Sequence, residues 1–383
     1  MKNYIFGTGP FAIQVAELLD NLNVVINGFL KISSNVNDKT KTLYKNIPII
    51  YLNDNFKLDS NSCNIIIAKQ PMIMGETIEY LRKNNFNKVY IANEKIINGN
   101  NINSENISDY FDMVDLKIPF LNYLETNIVD HCNLNCKGCA HFSNIAPVNF
   151  VSIEHYINDL KEISRKFNLY YFRILGGEPL MHPDILEIIK MSRAILPSTN
   201  IVIVTNGLLI PKLNEEILKA ISDNNIRVSL SLYKPTANVL NIIIDKLKKY
   251  NIEYLINDNY YNKPEIIETF ETRLTIDNTN NGDLTSKICT GRFCRFLRDG
   301  KIAKCYYPLL IFILNEKYNM DFKLSKKDYV DIYGVKDGWD AIDYLNNPIP
   351  FCNYCSEELC RFDWQGYCKD TDDISGFILK KVL

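Results

Sequence analysis

The feature that most limits what this chain can fold into is the uneven placement of its eleven cysteines. Three sit in "DHCNLNCKGCAHF", at Cys132, Cys136 and Cys139, with C-x3-C-x2-C spacing after a strand-like run. Seven more fall between Cys289 and Cys368. Cys63 stands alone in "SCNIIIAK", a buried-strand pattern in which cysteine serves as a small hydrophobe. The first residues, "MKNYIFGTGPF", run straight into a strand and show no apolar leader. Clustered thiols in such a chain indicate metal ligation rather than disulfides. The net charge of −2 offers no nucleic-acid footprint. The longest apolar run, "YYPLLIFIL", is far short of the ~20 residues of a spanning helix. The expectation is a cytoplasmic protein that binds neither nucleic acid nor membrane.

At 383 residues the chain exceeds one average domain, and three regions separate: 1–115, 116–280 and 281–383. The first alternates short apolar runs with helical stretches ("NYIFGTG", "AIQVAELLDNL", "NIIIAK", "ETIEYLRKNN", "KVYIAN"), which predicts a parallel sheet wound with helices. A polar stretch, "NGNNINSENISD", reads as a linker or surface loop. Within "YIFGTGPFAIQVAELL", Gly7, Gly9 and Ala12 lie between a strand and a helix, the context of a phosphate-binding turn. The second strand ends in "NGFLK", with Lys31 where NAD binding calls for a carboxylate. The readings left open are a site for a nucleotide-linked substrate and a docking or dimerisation domain.

Region 116–280 repeats the strand–helix rhythm in longer units. "SIEHYINDLKEISRKF" is an amphipathic helix with Ser152 at its N-cap, followed by "YYFRIL", "DILEIIKMSRAIL", "NIVIVTNG", "NEEILKAI", "IRVSLSLY", "VLNIIIDKLKKY" and "IEYLI". This series suits an open or closed parallel barrel, with reactive groups at the C-terminal strand ends. The three clustered cysteines follow the first of these strands and so lie on that face.

Three thiolates leave a metal site one ligand short. A four-iron, four-sulfur cube takes four thiolates, one per iron, so a cube on Cys132, Cys136 and Cys139 keeps one iron for a small molecule that chelates through amine and carboxylate. The alternative is zinc, but His131 and His141 flank the motif too closely to serve well as fourth ligand. One strand later, "ILGGEPLMHPD" sets Gly176, Gly177, Glu178 and Pro179 in a tight turn. The glycines permit close backbone approach, and carbonyls with Glu178 can accept hydrogen bonds from an ammonium group.

The cysteine loop, the GGEP turn and "VTNG" (204–207) together resemble the radical SAM enzymes. The resemblance implies a partial (βα)6 barrel, a 4Fe-4S cluster and S-adenosylmethionine. It also implies an external electron donor such as flavodoxin or ferredoxin, and cleavage to a 5′-deoxyadenosyl radical that removes a hydrogen atom from an unreactive C–H bond. GGEP would hold the methionine amine, Ser229 or Ser231 would contact ribose or carboxylate, and Phe142 would place its backbone near the adenine. The chain departs from the family at Gly138, where many members carry an aromatic residue before the third cysteine. Adenine packing must then come from elsewhere, with Phe142 the candidate.

The later cysteines, Cys289, Cys294, Cys305, Cys352, Cys355, Cys360 and Cys368, fall in short-strand, aromatic-rich sequence with one helix expected at "GWDAIDYL". They resemble the SPASM or twitch extension of the same family, which implies one or two auxiliary 4Fe-4S clusters. Seven thiols cannot complete two four-thiolate clusters. One arrangement uses Cys294, Cys305, Cys352 and Cys355 and leaves Cys289 as a hydrogen-atom donor. A zinc ribbon is the plainer reading. The whole predicts an α/β radical SAM oxidoreductase or epimerase acting on a sugar or polyol, free or nucleotide-linked. The competing readings are a SPASM-type peptide maturase and a non-catalytic iron–sulfur protein.

Overall fold

Runs of β-branched and aromatic residues, broken by Gly, Asn and Asp, become the strands of two main sheets. The computed structural model describes residues 1–32, 43–52, 58–69, 74–92, 110–257, 265–291, 293–368 and 372–379. These fall into two compact units, Met1–Asn122 and Tyr123–Leu383.

The first unit contains β1 (Lys2–Phe6), α1 (Pro10–Asn21), β2 (Ile26–Ile32), β3 (Ile49–Leu52), β4 (Cys63–Ile67), α2 (Met74–Lys83), β5 (Val89–Ala92) and β6 (Phe111–Met113). Its sheet runs β3-β2-β1-β4-β5-β6, parallel except for β6. The first five strands follow the order of a dinucleotide-binding fold. Ile5, Ala12, Val15, Ala16, Leu19 and Phe29 fill one face, and Cys63 is buried in β4 as a core residue. The polar stretch at 98–109 lies outside the described residues.

The chain passes into the second unit within β7 (Phe120–Asn127) and continues through α3 (Ile153–Lys166), β8 (Asn168–Leu175), α4 (Ile185–Ile195), β9 (Asn200–Thr205), α5 (Glu215–Asp223), β10 (Arg227–Leu230), α6 (Lys234–Asn238), α7 (Leu240–Lys249) and β11 (Tyr254–Ile256). Each helix in the expected series is present, and Ser152 is the N-cap of α3, although its side chain makes no capping bond. Then come β12 (Thr269–Leu274), α8 (Gly282–Ile288), β13 (Phe296–Arg298), β14 (Lys301–Ala303), α9 (Tyr307–Tyr318), β15 (Val330–Asp331), α10 (Gly338–Asn346, the predicted helix) and β16 (Cys355–Asp363).

Eight strands form one open sheet, β11-β10-β9-β8-β7-β13-β14-β15. Strands β8 to β11 are parallel neighbours, and β13 joins β7 in parallel. Strands β12 and β16 pair antiparallel in a sheet of their own. The cysteine-rich region therefore extends the barrel sheet rather than standing apart from it. The apolar run "YYPLLIFIL" contributes to α9, whose Leu309, Leu310, Ile311, Ile313 and Leu314 are all buried. A helix apolar on every side needs such a core. Among the described residues no helix is long and apolar enough to cross a membrane.

Candidate cluster and cofactor site

The loop that carries the first three cysteines leaves the C-terminal end of β7. Asp130 anchors its base: both carboxylate oxygens accept from Arg298 (2.6 and 2.9 Å), and Asn149 donates to one of them at 2.7 Å. This buried bidentate pair ties the loop to β13. Within the loop the Leu134 N–H points at the Cys132 sulfur at 3.5 Å, and Asn206 Nδ2 approaches the same sulfur at 3.7 Å. Burial, aided by Glu178, pushes the Cys132 thiol up to about 12. Burial and then Cys139 push Cys136 higher still. A metal bound at these sulfurs would therefore have to displace thiol protons.

The GGEP turn packs on this loop. A Cβ on Gly177 would stand 1.9 Å from the His131 carbonyl oxygen, and one on Gly176 would stand 2.4 Å from that of Val129. The Gly177 and Glu178 amides donate to Val129 O (2.7 Å) and His131 O (3.2 Å). The glycines are thus required by the chain's own backbone. Glu178 faces inward and is wholly buried. Its carboxylate accepts from Thr205 Oγ1 (2.6 Å), the Asn206 amide (2.9 Å) and the Leu180 amide (3.1 Å), and burial raises its pKa to about 7. Three of the carboxylate's acceptor positions are thus taken by the chain itself, two on Oε1 and one on Oε2. Glu178 welds the GGEP turn to the "VTNG" strand end, while the Glu178 and Pro179 carbonyls accept from the Met181 and His182 amides (both 3.1 Å).

Ser229 is buried on β10 opposite Val204, and Ser231 follows the strand, with its amide on Thr205 O at 2.9 Å. Both lie at the C-terminal end of β10. Phe142 does not match its expected role. Its ring is buried against Phe377 (5.6 Å) and Tyr307 (6.0 Å), its amide donates to Cys139 O, and its carbonyl accepts from Ile145 and Ala146. Neither ring nor backbone is left for adenine. His141 is likewise committed: Asn127 Oδ1 lies 2.9 Å from its Nδ1, and burial lowers its pKa to about 4.

A second group of thiols surrounds a cavity in the cysteine-rich region, lined by Cys289, Cys305, Cys352 and Cys355 with Arg273 and Lys304. Burial, then neighbouring thiols, raise Cys305 strongly and Cys355 to about 12. Arg273 is buried, and its Nη1 has no hydrogen-bond partner among the described residues. Four thiols facing an unpartnered guanidinium nitrogen suit an anionic four-thiolate cube. Among the described residues no three His, Cys, Asp or Glu side chains converge as ligands of a single ion. A cube, by contrast, binds one thiolate per iron.

This cavity redistributes the expected ligands. Cys289, the presumed spare thiol, ends α8 and lines the cavity. Cys294, an expected ligand, is not among the cavity's lining residues; it lies beside Glu125 and Arg173 with Cys289 also in electrostatic reach, and burial, with Glu125 adding and Arg173 opposing, pushes its thiol to about 12. There Tyr123 donates to Glu125 (2.5 Å), and Arg173 Nη1 donates to the Tyr123 hydroxyl (2.7 Å). Cys360 is exposed on β16, five residues and roughly 16 Å along the strand from Cys355, too far to share its cluster. The Cys368 amide donates to Asn135 O, in the first cysteine loop. The sequence reading missed Arg273, Lys304 and the Tyr123–Glu125–Arg173 group. Period-two alternation along β7 already places Tyr123 and Glu125 on one face.

In the first unit, Gly7 has φ +146° and lies so close to β4 that a Cβ would stand 2.3 Å from Ala68 O. Gly9 caps α1 above Pro10, with open space around its Cβ position. Both sit where the strand order reverses between β1 and β4, the ligand crevice of such sheets.

A parallel sheet with a three-cysteine loop and a GGEP turn at its C-terminal edge defines a radical SAM domain. Residues 126–258 match the Radical SAM superfamily model, and the chain carries this domain, whose family uses a 4Fe-4S cluster and S-adenosylmethionine. Curated relatives named GTP 3′,8-cyclase include that of Microcystis aeruginosa, 28% identical over 119 residues (30% of this chain, 36% of that one). Those of Petrotoga mobilis (31% identical; 32% and 38% covered) and Alkaliphilus oremlandii (32% identical; 32% and 39%) are similar. The chain thus spans well under half of these relatives' length. Among solved structures, BtrN in complex with AdoMet and 2-DOIA covers 62% of this chain and 93% of its own, at 13% identity and TM-score 0.36. The anSMEcpe structure with AdoMet and the Cp18Cys peptide covers 35% and 42%, at 21% identity and TM-score 0.29.

Proposed function

We propose that the protein is a cytoplasmic radical SAM oxidoreductase or epimerase that takes a hydrogen atom from a carbon of a sugar or polyol, free or nucleotide-linked. The observation that carries this reading is the pairing, in one unit, of a three-thiol loop with a four-thiol cavity. The first suits a cluster with one open iron, and the second suits a closed auxiliary cluster. Cys132, Cys136 and Cys139 would hold the first cluster, which together with S-adenosylmethionine would supply the one-electron chemistry that removes the substrate hydrogen.

The chain's own groups divide the remaining work. Glu125, Tyr123 and Arg173 offer a carboxylate, a hydroxyl and a cation, a set that binds hydroxyl groups of a polar substrate. Cys294, kept as a thiol by burial, takes the hydrogen-donor role first assigned to Cys289. Cys289, Cys305, Cys352 and Cys355 would hold an auxiliary cluster, which when bound would supply an acceptor for the one electron that oxidation of the substrate radical releases together with a proton. In epimerisation, Cys294 would return a hydrogen atom to the opposite face, and the thiyl radical left behind would be restored to the thiol by one further electron from flavodoxin or ferredoxin and a proton. Residues 281–383 form the auxiliary domain in this reading, and the crevice at Gly7 and Gly9 would take a nucleotide moiety. Flavodoxin or ferredoxin would supply the first electron.

The test is anaerobic reconstitution followed by turnover with C-deuterated sugars, sugar nucleotides and, separately, peptides. Deuterium entering 5′-deoxyadenosine from a sugar, and lost with Cys136→Ala, is expected. Deuterium transfer from peptides alone would replace the sugar reading with a peptide maturase.

A further inference from the structure

The C-terminal segment that follows β16 returns to the first cysteine loop. The Lys137 amide donates to Gln365 O (2.8 Å), the Tyr367 amide to Leu134 O (2.7 Å) and the Cys368 amide to Asn135 O (3.0 Å). The Lys137 ammonium pairs with Asp373 at 2.5 Å. At Gly138, where φ is +66°, a Cβ would stand 2.5 Å from the Phe362 ring and 2.6 Å from Gly376 O. The room that an aromatic residue at this position would need is filled from β16.

One side chain of this segment reaches a sulfur. The Trp364 indole N–H donates to Cys136 Sγ at 3.2 Å. Its ring stacks on Tyr233 at 5.1 Å with planes 18° apart, and its backbone amide is held by Glu268 O at 2.8 Å. Tyr233 lies just beyond β10, half-buried, within electrostatic reach of all three loop thiols. The indole is therefore fixed on both face and edge, and its single donor has one sulfur to serve.

We propose that Trp364 is a positioning residue for the SAM-binding cluster, setting its reduction potential through an N–H···S bond to Cys136. This rests on Cys136 being a ligand of that cluster. A donor to a cluster thiolate withdraws negative charge from it. The reduced cluster carries one more electron than the oxidised one, so it gains more from the bond and the potential rises. The auxiliary region would thereby tune the first cluster through its own chain.

The experiment compares reconstituted full-length protein with Trp364→Phe and Trp364→His in an EPR-monitored redox titration. The SAM cluster is recognised by the change in its EPR signal when SAM is added. ENDOR after exchange into D2O reads the exchangeable proton near the cluster. Trp364→Phe should keep its iron, titrate at a more negative potential and lose one exchangeable-proton coupling. Trp364→His, with a ring N–H, should recover part of both. An unchanged potential and coupling in Trp364→Phe would overturn the proposal. Should Trp364→Phe lose the cluster, recovery of iron and potential in Trp364→His supports the donor role, whereas loss in both variants makes the residue a mere support and overturns it. Separately, a full SAM-cluster signal in Cys136→Ala sinks the site assignment itself.

Discussion

At the residue scale, position in three dimensions separates cysteines that look alike in sequence. Cys289 and Cys294 are five residues apart, and both sulfurs would lie 3.7 Å from a Cβ placed on Gly291, yet only Cys289 lines the four-thiol cavity. Cys289→Ala should therefore lose about four irons per chain, one cube's content. Cys294→Ala should keep its iron and its SAM cleavage, but lose deuterium incorporation at an inverted carbon during turnover in D2O. Iron analysis and product mass spectrometry check both, and iron loss from Cys294→Ala would return that residue to the ligand set. Glu178 permits a pH argument. Its folded pKa, about 7, lies above the ordinary 4.5, so the unfolded chain releases this proton first. Stability from this group is complete below about 4.5 and declines as pH rises to about 7, by up to ~3 kcal/mol at 1.36 kcal/mol per unit. Glu178→Gln should flatten that slope in denaturant melts across the window, at some cost at every pH from the lost acceptor for the Asn206 amide. A slope identical to wild type would show that the carboxyl ionises normally.

At the element scale, turn and loop act as one piece. Gly177→Ala places a Cβ 1.9 Å from the His131 carbonyl, a contact that only backbone movement relieves. The movement displaces Cys132, the next residue. Reconstituted Gly177→Ala should lack the EPR signal that shifts with SAM while retaining the auxiliary signal. Loss of both signals, with global unfolding, would show the damage to be general. Two glycines, read in sequence as room for a ligand, are in fact room for residues 129–131. Only the packed neighbour could reveal this, since a GGEP turn looks the same in either role.

At the scale of the whole molecule, the second unit should hold two four-iron clusters, one on three thiols and one on four. Iron near eight per chain is expected, and near four for Cys305→Ala, with 5′-deoxyadenosine still formed without substrate turnover. Stoichiometric zinc alongside four irons would instead identify the cavity as a zinc module. The joining of β13 to β7 and the return of residues 364–368 to the cysteine loop bind the two cysteine groups into one body. Loading of the three-thiol site is accordingly expected to depend on an intact C-terminal segment.

Local spacing sufficed for what is local: the strand–helix alternation, the α10 helix, the buried Cys63, and the loop and turn motifs that mark the radical SAM domain. These follow from periodicities and short spacings that one segment carries alone. Which four thiols share a cavity, where Phe142 and His141 point, and what Glu178 bonds to are decided by segments far apart in sequence. Cys289 and Cys355 line one cavity because α8 packs against β16. Trp364 reaches Cys136 across 228 positions, because β16 pairs with β12 and leads the chain back over the loop. No spacing rule reaches that far, since the contact is set by how the sheets pack.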